Sequence, residues 1–336
     1  MKKFYAVIGN PPYQEDTESD STRLPPIYNR FMDGAYEIGE KVELITPARF
    51  LFNAGYTPKD WNRKMLDDPH LKVLKYISDS SIVFPDNDIK GGVAVTYRDS
   101  NSAFGPIDVF TKYAELNTIL SKVLKGTSHF LDEVISSPLS YKLSDLMKTE
   151  HPDLPDRLRS SAFSTLAPIF FDKKPDDSQI YIKMVGLDNG KRTIKYVRRD
   201  YIKDSGATLD SYSLLMAKAI GSGAFGESLS KGYIADPGTG YLQTFIGIGQ
   251  FGTRTEAENA GIYTRTKFAR ALLGVLKITQ DCPGPKWHYV PLQDFTSQSD
   301  IDWSKSISDI DHQLYDKYGL DDKEIVFIES HVKEMN

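Results

Sequence analysis

The amino-terminal third of the chain alternates apolar runs with segments of helical spacing. Residues 4–9 form a short continuous apolar run closed by a turn signal, which is typical of a buried strand in a covered parallel sheet. Residues 27–35 carry apolar positions at helical spacing, and residues 41–47 predict the next strand, ended by a proline. The pattern therefore predicts α/β units around parallel strands over residues 1–125.

The pattern changes after residue 125. A predicted helix over 117–125 is ended by Gly126, and a polar, helix-prone connector follows it. From residue 179 onward, short β-rich segments alternate with glycines, which favours an α+β domain. The predicted organisation is a catalytic-type α/β domain over 1–125, a helical connector over 126–178, an α+β domain over 179–300 and a helical tail over 301–336.

Local signals predict several elements in the second half. Residues 188–191, Asp-Asn-Gly-Lys, indicate a hairpin turn between two strands. Residues 212–220 predict a helix, and the glycine-rich stretch 221–226 after it predicts a loop. Residues 264–273 predict a helix entered through a threonine cap. The tail is expected to form two helices separated near Gly319.

Composition limits the class of protein. With 40% hydrophobic and 26% charged residues, the 336-residue chain resembles an ordinary soluble protein. We find no apolar stretch long enough to cross a membrane and no signal peptide, so we expect a cytoplasmic protein without a membrane partner. The one cysteine, Cys282, cannot form an intrachain disulfide or a cysteine-based zinc cluster. The six histidines lack metal-ligand spacing, so no metal is predicted.

Asn10-Pro11-Pro12-Tyr13 directly follows the first predicted strand. The two prolines fix the backbone and remove two N–H donors, while their carbonyls still accept. The Asn10 side-chain oxygen and the Pro11 carbonyl are thus two acceptors on a stiff loop, which suits an amino group that donates both of its hydrogens. Tyr13 offers a flat face on which a flipped base could stack. Open α/β sheets bind ligands at this end of their strands.

Residues 8–13, Ile-Gly-Asn-Pro-Pro-Tyr, resemble the catalytic motif of amino-methyltransferases, above all the DNA adenine-N6 methyltransferases. Residues 45–47 (Ile-Thr-Pro) and 89–93 (Ile-Lys-Gly-Gly-Val) follow in the order seen in Eco57I-type restriction–modification methyltransferases. Residues 264–295 are similar to the target-recognition region of that family, and residues 310–329 to its tail. The resemblance implies part of a Rossmann-like methyltransferase sheet followed by an α+β target-recognition domain.

The resemblance also implies roles for particular residues. Asn10 and Pro11 would accept from adenine N6 and Tyr13 would stack on the base, with Phe84 or Tyr97 as a second aromatic wall. The implied cofactor is S-adenosylmethionine, but the family places its Gly-rich cofactor loop upstream, and only nine residues precede Asn10. We therefore expect the carboxyl-terminal half of such an enzyme, inactive alone: a fragment, a truncated gene product or one subunit.

Charge is unevenly distributed along the chain. The net charge is −5, yet residues 181–300 carry 15 Lys and Arg against 11 Asp and Glu, a surplus of four positive charges. Residues 191–203 hold six bases and one acid, which fits either contact with DNA phosphates or a solvated strand. Candidates for phosphate contact are Lys191, Arg192, Lys195, Arg198 and Arg199. Candidates for base or backbone contact are Arg254, Arg265 and Lys267.

Three alternatives to a DNA adenine methyltransferase part stay open. The chain could be a DNA-binding specificity module without activity, or a methyltransferase that acts on RNA or protein. A nuclease is the third, but residues 86–90 and 322–324 supply acids and bases without the usual nuclease arrangement.

The first strand raises a separate expectation. A bare hydrophobic sheet edge is an aggregation risk. Without upstream strands, we expect the edge at residues 4–8 to be covered by self-association, by a partner such as the cofactor-binding half or a restriction subunit, or by the chain's own amino-terminal or linker residues.

Overall fold

The computed structural model divides the chain into two compact units, residues 1–114 and 115–336, which are described separately. The structure describes residues 3–15, 25–52, 56–85, 89, 91–206 and 209–335. The acidic stretch 86–88 and Lys90, both considered above, lie outside the described residues.

The first unit is built on a four-stranded mixed sheet in the order β1-β2-β4-β3. β1 pairs with β2 in parallel, whereas β4 runs antiparallel to both β2 and β3. The prediction of an all-parallel sheet is therefore wrong beyond the first pair, because hydrophobic runs do not encode strand direction. The elements are β1 Phe4–Gly9, α1 Tyr28–Ile38, β2 Gly39–Pro47, α2 Lys59–Asp67, β3 Leu71–Ile77 and β4 Val93–Asp99.

β1 lies at one edge of this sheet and is largely exposed. The exposed fractions of Phe4, Tyr5 and Ile8 are 55%, 69% and 78%, so the prediction of a buried strand is wrong within the described residues. Only Val7 of this strand packs against the core. An apolar sequence allows a strand to be buried, but the strand is buried only if other elements pack on both sides of it.

The core of the first unit lies between the sheet and its two helices. Met32 of α1, Val42 of β2 and Met65 of α2 are almost completely buried there, beside the rings of Phe50 and Trp61. The ring centroids of Phe50 and Trp61 are 5.4 Å apart in an edge-to-face arrangement. The predicted helix over 27–35 and the strand over 41–47 are confirmed as α1 and β2. This packing fixes β2, the strand that pairs with β1 just before the Asn-Pro-Pro-Tyr loop.

The second unit combines short helices with three sheets, ordered β11-β10-β13-β5, β12-β7-β8 and β6-β9. Mixed α/β architecture is thus observed in the chain as a whole. The elements are α3 Ala114–Gly126, β5 Ile135–Ser136, β6 Tyr141–Leu143, α4 Asp145–Glu150, α5 Ala162–Thr165, β7 Tyr181–Asp188, β8 Lys191–Arg198, β9 Ile202–Asp204, β10 Tyr212–Ala217, β11 Tyr233–Ala235, β12 Thr239–Tyr241, β13 Phe245–Phe251, α6 Arg254–Tyr263, α7 Lys267–Leu273, α8 Ile307–Lys317 and α9 Asp322–His331.

Two sequence predictions in this unit are wrong. The helix over 212–220 is instead strand β10, whose residues 213–216 are buried between β11 and β13. A continuous apolar run of this length fits a central strand as well as a buried helix, so periodicity could not decide. The connector is not purely helical either, because β5 and β6 pair with β13 and β9. Two or three residues are too few to show strand periodicity.

Other local predictions are confirmed. The hairpin of β7 and β8 turns through Asn189 and Gly190, both with positive φ. Thr266 caps α7 by accepting the N–H of Ala269 at 3.1 Å. The tail forms α8 and α9 on either side of Gly319 (φ 62°), as the turn signal indicated. Among the described residues, we find no helix that is both long and apolar enough to span a membrane.

A buried carboxylate joins two helices of the second unit. Asp311 of α8 is 1% exposed and accepts the N–H groups of Lys267 and Phe268, at 3.0 and 2.8 Å. These are orphan donors in the first turn of α7, so the side chain caps that helix. Burial nevertheless raises the pKa of Asp311 to about 6, against the lowering effect of these two bonds.

This buried carboxylate makes stability depend on pH. The folded state holds the Asp311 proton more tightly than the unfolded state, so ionisation costs stability as the pH rises from about 4 to about 7. A pKa rise from 3.8 to about 6 corresponds to a loss of about 3 kcal/mol over this range. Urea unfolding at several pH values is expected to show this slope in the wild type and not in Asp311→Asn. Equal slopes in the two proteins would contradict the assignment.

Candidate functional site

The Asn10-Pro11-Pro12-Tyr13 loop leaves the carboxyl end of β1, at the position where Gly9 is paired with Leu44 of β2. Asn10 and Pro12 are exposed, and Pro11 and Tyr13 are half-buried. Of the two residues proposed to supply acceptors, Asn10 is therefore exposed and Pro11 is half-buried.

Tyr13 fixes the end of this loop. Its ring packs against the core of the first unit, and its hydroxyl donates a long hydrogen bond, 3.5 Å, to the Ile45 carbonyl of β2. Burial raises the pKa of Tyr13 to about 12, so the phenol stays protonated at neutral pH. The side chain can thus act as an aromatic surface rather than as a base.

The residues after Tyr13 tie the loop to the start of α1. The Tyr13 carbonyl accepts the N–H of Ile27 at 3.1 Å, and the Glu15 N–H donates to the Pro25 carbonyl at 3.1 Å. The Glu15 carboxylate also pairs with Arg30 at 3.1 Å. Two backbone bonds and an ion pair thus hold the exit of the loop, while the prolines stiffen its entry.

The two predicted aromatic walls lie in different places. The ring centroid of Phe84 is 6.1 Å from that of Tyr13, with the planes at 84°. Tyr97, by contrast, donates to Asp99 at 3.2 Å, and Asp99 is paired with Lys41 near the start of β2. The structure therefore brings Phe84 beside the loop and does not bring Tyr97 there.

The Gly-Gly-Val segment meets the same end of the sheet. β4 begins at Val93, opposite Pro47 at the end of β2. The N–H of Ala48 donates to the Gly92 carbonyl at 3.0 Å. The ends of β1, β2 and β3 and the start of β4 (Gly9, Pro47, Ile77 and Val93) thus form one edge, here called the motif edge.

Sequence reasoning missed Tyr76 at this edge. Its hydroxyl donates to the Gly91 carbonyl at 3.3 Å, and its ring contacts those of Phe52 and Phe110 at centroid distances of 5.5 and 5.7 Å. The signal that could have found it is its place at the end of β3, a strand that was not predicted. These rings support the Gly-Gly turn from the side of β3.

Gly92 is expected to be intolerant of a side chain. It has φ 74°, and an added Cβ would lie 2.3 Å from the Ile77 carbonyl oxygen, so both the backbone and β3 would have to move. Gly92→Ala should lower the free energy of unfolding of the first unit by about 3 kcal/mol or more. Gly105→Ala is the matched control, since Gly105 has φ 91° and open space around it, and it should cost only about 1 kcal/mol. Similar losses in chemical denaturation of the two variants would contradict the steric argument.

The basic candidates on β8 are engaged within the second unit. Lys195 pairs with Asp172 and Asp188 at 3.3 and 3.4 Å. Arg198 pairs with Glu150 at 2.9 Å and Asp200 at 2.6 Å. Because β-strand side chains alternate, Lys195 and Arg198 also lie on opposite faces. The run therefore does not form a single free stripe of cations.

The remaining candidates are dispersed in the same way. Those with carboxylate partners are Arg254, with Asp236 at 2.5 Å and Glu258 at 3.0 Å, and Lys267, with Glu329 at 2.5 Å. Those that donate to backbone carbonyls are Arg192, to Lys231 at 3.3 Å, Arg199, to Ile202 at 2.9 Å, and Arg265, to Gly261 at 3.2 Å. Lys191 lies exposed at the hairpin turn.

The glycine-rich stretch is the one segment that the sequence offered as a possible cofactor loop. The glycine-rich loop over 221–226 is in the second unit, and its donors are already used: the N–H groups of Ser222 and Gly223 bind the Glu227 carboxylate at 2.8 and 2.9 Å. That loop does not fit a cofactor. The described residues also hold no group of three or more His, Cys, Asp or Glu side chains that could bind a metal.

Comparison with known proteins supports the resemblance over most of the first unit. Residues 1–84 match the model of the family described as Eco57I restriction-modification methylase. This segment contains the Asn-Pro-Pro-Tyr loop, the Ile-Thr-Pro strand end and Phe84. The resemblance to Eco57I-type restriction–modification adenine methyltransferases is therefore confirmed.

Individual relatives add detail. Over 153 residues, 45% of this chain, the sequence is 28% identical to an "Uncharacterized adenine-specific methylase" of Mycoplasma pneumoniae. The match spans 33% of that protein, so the chain corresponds to about a third of its relative. The crystal structure of the type IIG restriction endonuclease BpuSI aligns with 91% of this chain. The alignment covers 48% of the BpuSI chain, at 10% sequence identity and a TM-score of 0.33. That similarity is too low to establish a common fold, and a Rossmann-like sheet stays a prediction.

Proposed function

We propose that this chain is part of a restriction–modification DNA methyltransferase that transfers a methyl group from S-adenosylmethionine to adenine N6 in a specific sequence. It contributes the base-binding loop and, in the second unit, target recognition. The observation that carries the proposal is the motif edge, where the Asn-Pro-Pro-Tyr loop, the Ile-Thr-Pro strand end and Phe84 lie together.

The two proposed acceptors, on the exposed Asn10 and the half-buried Pro11, suit an exocyclic amine. The lone pair of adenine N6 is delocalised into the ring, which makes the amine a poor nucleophile. The Asn10 side-chain oxygen and the Pro11 carbonyl would accept its two hydrogens, favour a pyramidal nitrogen and stabilise the positive charge that develops on it. Tyr13 would stack on the extruded base, with the edge of Phe84 nearby, repaying the few kcal/mol that base flipping costs.

The chemistry needs no activated side chain. S-adenosylmethionine, when bound, supplies the electrophilic methyl group, and the residues of this chain hold and orient the amine. Because the donors of the 221–226 loop are engaged by Glu227, we propose that other residues or another polypeptide hold the cofactor. The bare edge of β1, with Phe4, Tyr5 and Ile8 exposed, is the place where such a partner or a second copy could add a strand.

Methyl transfer from labelled S-adenosylmethionine to unmethylated duplex DNA tests the proposal. The chain is assayed alone and mixed with the product of the adjacent upstream reading frame. Label in the DNA in either arm supports the proposal. Label that enters only RNA or protein would show a different methyltransferase.

A second candidate function is a DNA-binding specificity module without activity. The engagement of the 221–226 loop by Glu227, which leaves its N–H donors unavailable to a cofactor, favours it. Calorimetry with S-adenosylmethionine separates the two: a chain that binds duplex DNA and shows no cofactor binding, alone or with the upstream product, is a module.

A further inference from the structure

A cavity of about 470 Å³ in the second unit has five basic side chains among its eleven lining residues, beside four apolar ones. It lies beside the two-stranded sheet of β6 and β9, and residues 156–159 line it as well. We call it the basic groove, and its cationic side chains are Lys142, Lys148, Arg157, Arg159 and Lys203. None of these was among the candidates drawn from the sequence, because they are spread over 62 positions and meet only in the fold.

Two of the lysines face each other directly. Lys142 of β6 and Lys203 of β9 are register partners in an antiparallel pair, so their side chains emerge side by side on one face. Like charges directly opposite each other destabilise a sheet. Asp145 already pairs with Lys203, so part of this cost is offset within the chain. An anion bound at Lys142 and Lys203 would offset the rest.

Carboxylates neutralise only part of the groove. Asp145 accepts from Lys203 at 2.6 Å and lies 3.8 Å from Lys148. Arg157 and Asp156 are 3.8 Å apart and both 69% exposed, so this pair is weak. Five cations against these two carboxylates leave a surplus of three positive charges.

Two of the five bases have no carboxylate partner of their own in the described part of the chain. Lys142 and Arg159 have no carboxylate within ion-pair distance among the described residues, and both side chains are exposed. The strongest candidates on β8, Lys195 and Arg198, are by contrast each held by two carboxylates. The basic groove is thus the better anion site of the two.

The frame of the groove is rigid. Tyr141, Leu143 and Leu158 alternate with the bases and are 3–5% exposed, which anchors both walls in the core of the second unit. The Ser144 N–H donates to the Tyr201 carbonyl at 2.8 Å and continues the β6–β9 pairing. Leu139, 55% exposed, adds an apolar contact at the rim. The backbone that carries these bases is therefore held in place before any ligand binds.

We propose that the basic groove binds the phosphodiester backbone of duplex DNA, with one phosphate between Lys142 and Lys203 and its neighbour at Arg159. This inference rests on the proposed DNA-directed function and names a surface that serves it. Phosphate contacts of this kind set the position of a protein on DNA without reading its sequence. The groove would thus hold the second unit on the duplex while other residues read the bases.

Binding to a fluorescent duplex, measured by anisotropy across a series of salt concentrations, tests the proposal. The double variant Lys142→Gln, Lys203→Gln should weaken binding about tenfold and make the slope of log K against log salt shallower by about 2. Lys142→Arg with Lys203→Arg should retain both affinity and slope. Lys323→Gln, which removes an exposed lysine of α9 outside the groove, should also behave as wild type.

The possible results distinguish failure of the groove proposal from failure of the proposed DNA-directed function. The glutamine variant should unfold close to the wild-type temperature, since it loses a like-charge pair together with the exposed Lys203–Asp145 ion pair. A wild-type melting temperature would show that weakened binding does not come from misfolding. If wild type binds the duplex and the glutamine variant binds equally well with the same slope, the groove proposal is overturned while DNA binding stands. If wild type binds only RNA, or no nucleic acid, both the DNA-directed function and the groove assignment fail.

Discussion

Replacing Asn10 with alanine is expected to lower methyl transfer to adenine about 10²- to 10³-fold, the usual effect of losing one preorganised partner of developing charge. The side-chain oxygen is one of only two acceptors proposed for the amine. Asn10 is exposed, so its loss should leave the fold intact. The rate is measured under single turnover, in the arm of the labelled-methyl assay that shows activity.

Asn101→Ala is the matched control for this variant. Asn101 is also an exposed asparagine of the first unit, and it lies in the turn after β4. Its replacement should change the rate less than about twofold, in line with an exposed residue outside the site. Equal rates for Asn10→Ala and Asn101→Ala would show that the loop does not hold the reacting amine.

Replacing Glu227 with glutamine is expected to destabilise the second unit by about 3–5 kcal/mol, because it leaves the Lys277 ammonium buried without a counter-charge. Lys277 and Glu227 form an ion pair in which the side chains are 3% and 11% exposed. Lys277 also donates to the Ile220 carbonyl at 2.8 Å. For a unit of this size, the loss corresponds to a fall in melting temperature of about 6–20 °C.

A surface pair provides the control for the buried one. Lys305 and Asp302 lie 3.8 Å apart with side chains 57% and 52% exposed. Lys305→Met should change the free energy of unfolding by less than about 1 kcal/mol. If chemical denaturation gave similar losses for Glu227→Gln and Lys305→Met, the buried pair would not have the structural role assigned to it.

The Glu227 carboxylate also makes the stability of the second unit depend on pH in the acidic range. Burial alone would raise the pKa of Glu227, but the hydrogen bonds from Lys277 and from the N–H groups of Ser222 and Gly223 outweigh it and lower the pKa to about 2. A lowered pKa means that the stabilisation is complete above the unfolded value of 4.5 and is lost as the pH falls towards 2. This slope is opposite in sign to that of Asp311 and lies at lower pH.

The sequence predicted those turns, helix caps and strand ends that are determined by residues next to each other in the chain. Asn189 and Gly190 adopt the positive φ that the hairpin needs. The Thr266 hydroxyl caps α7, and β2 ends at Pro47. The Asn-Pro-Pro-Tyr loop could likewise be placed after a strand, because two prolines determine their own backbone.

Long-range partners could not be predicted in the same way. Whether β10 is a strand or a helix, and whether β1 is buried, depends on which elements lie on either side. Lys195 and Arg198 of β8 form ion pairs with Asp172 and Glu150, which are distant from them in sequence. The sequence therefore could not show that these cations are engaged. The basic groove was missed for the same reason, since Lys142 and Lys203 become neighbours only through the β6–β9 register.

The most direct test of the account is nucleoside mass spectrometry of duplex DNA after incubation with S-adenosylmethionine, the chain and the product of the adjacent upstream reading frame. We expect N6-methyladenine with the wild-type chain and its near-complete loss with Asn10→Ala. Methylation confined to cytosine, or N6-methyladenine formed equally well by the Asn10→Ala chain, would contradict the role proposed for the loop.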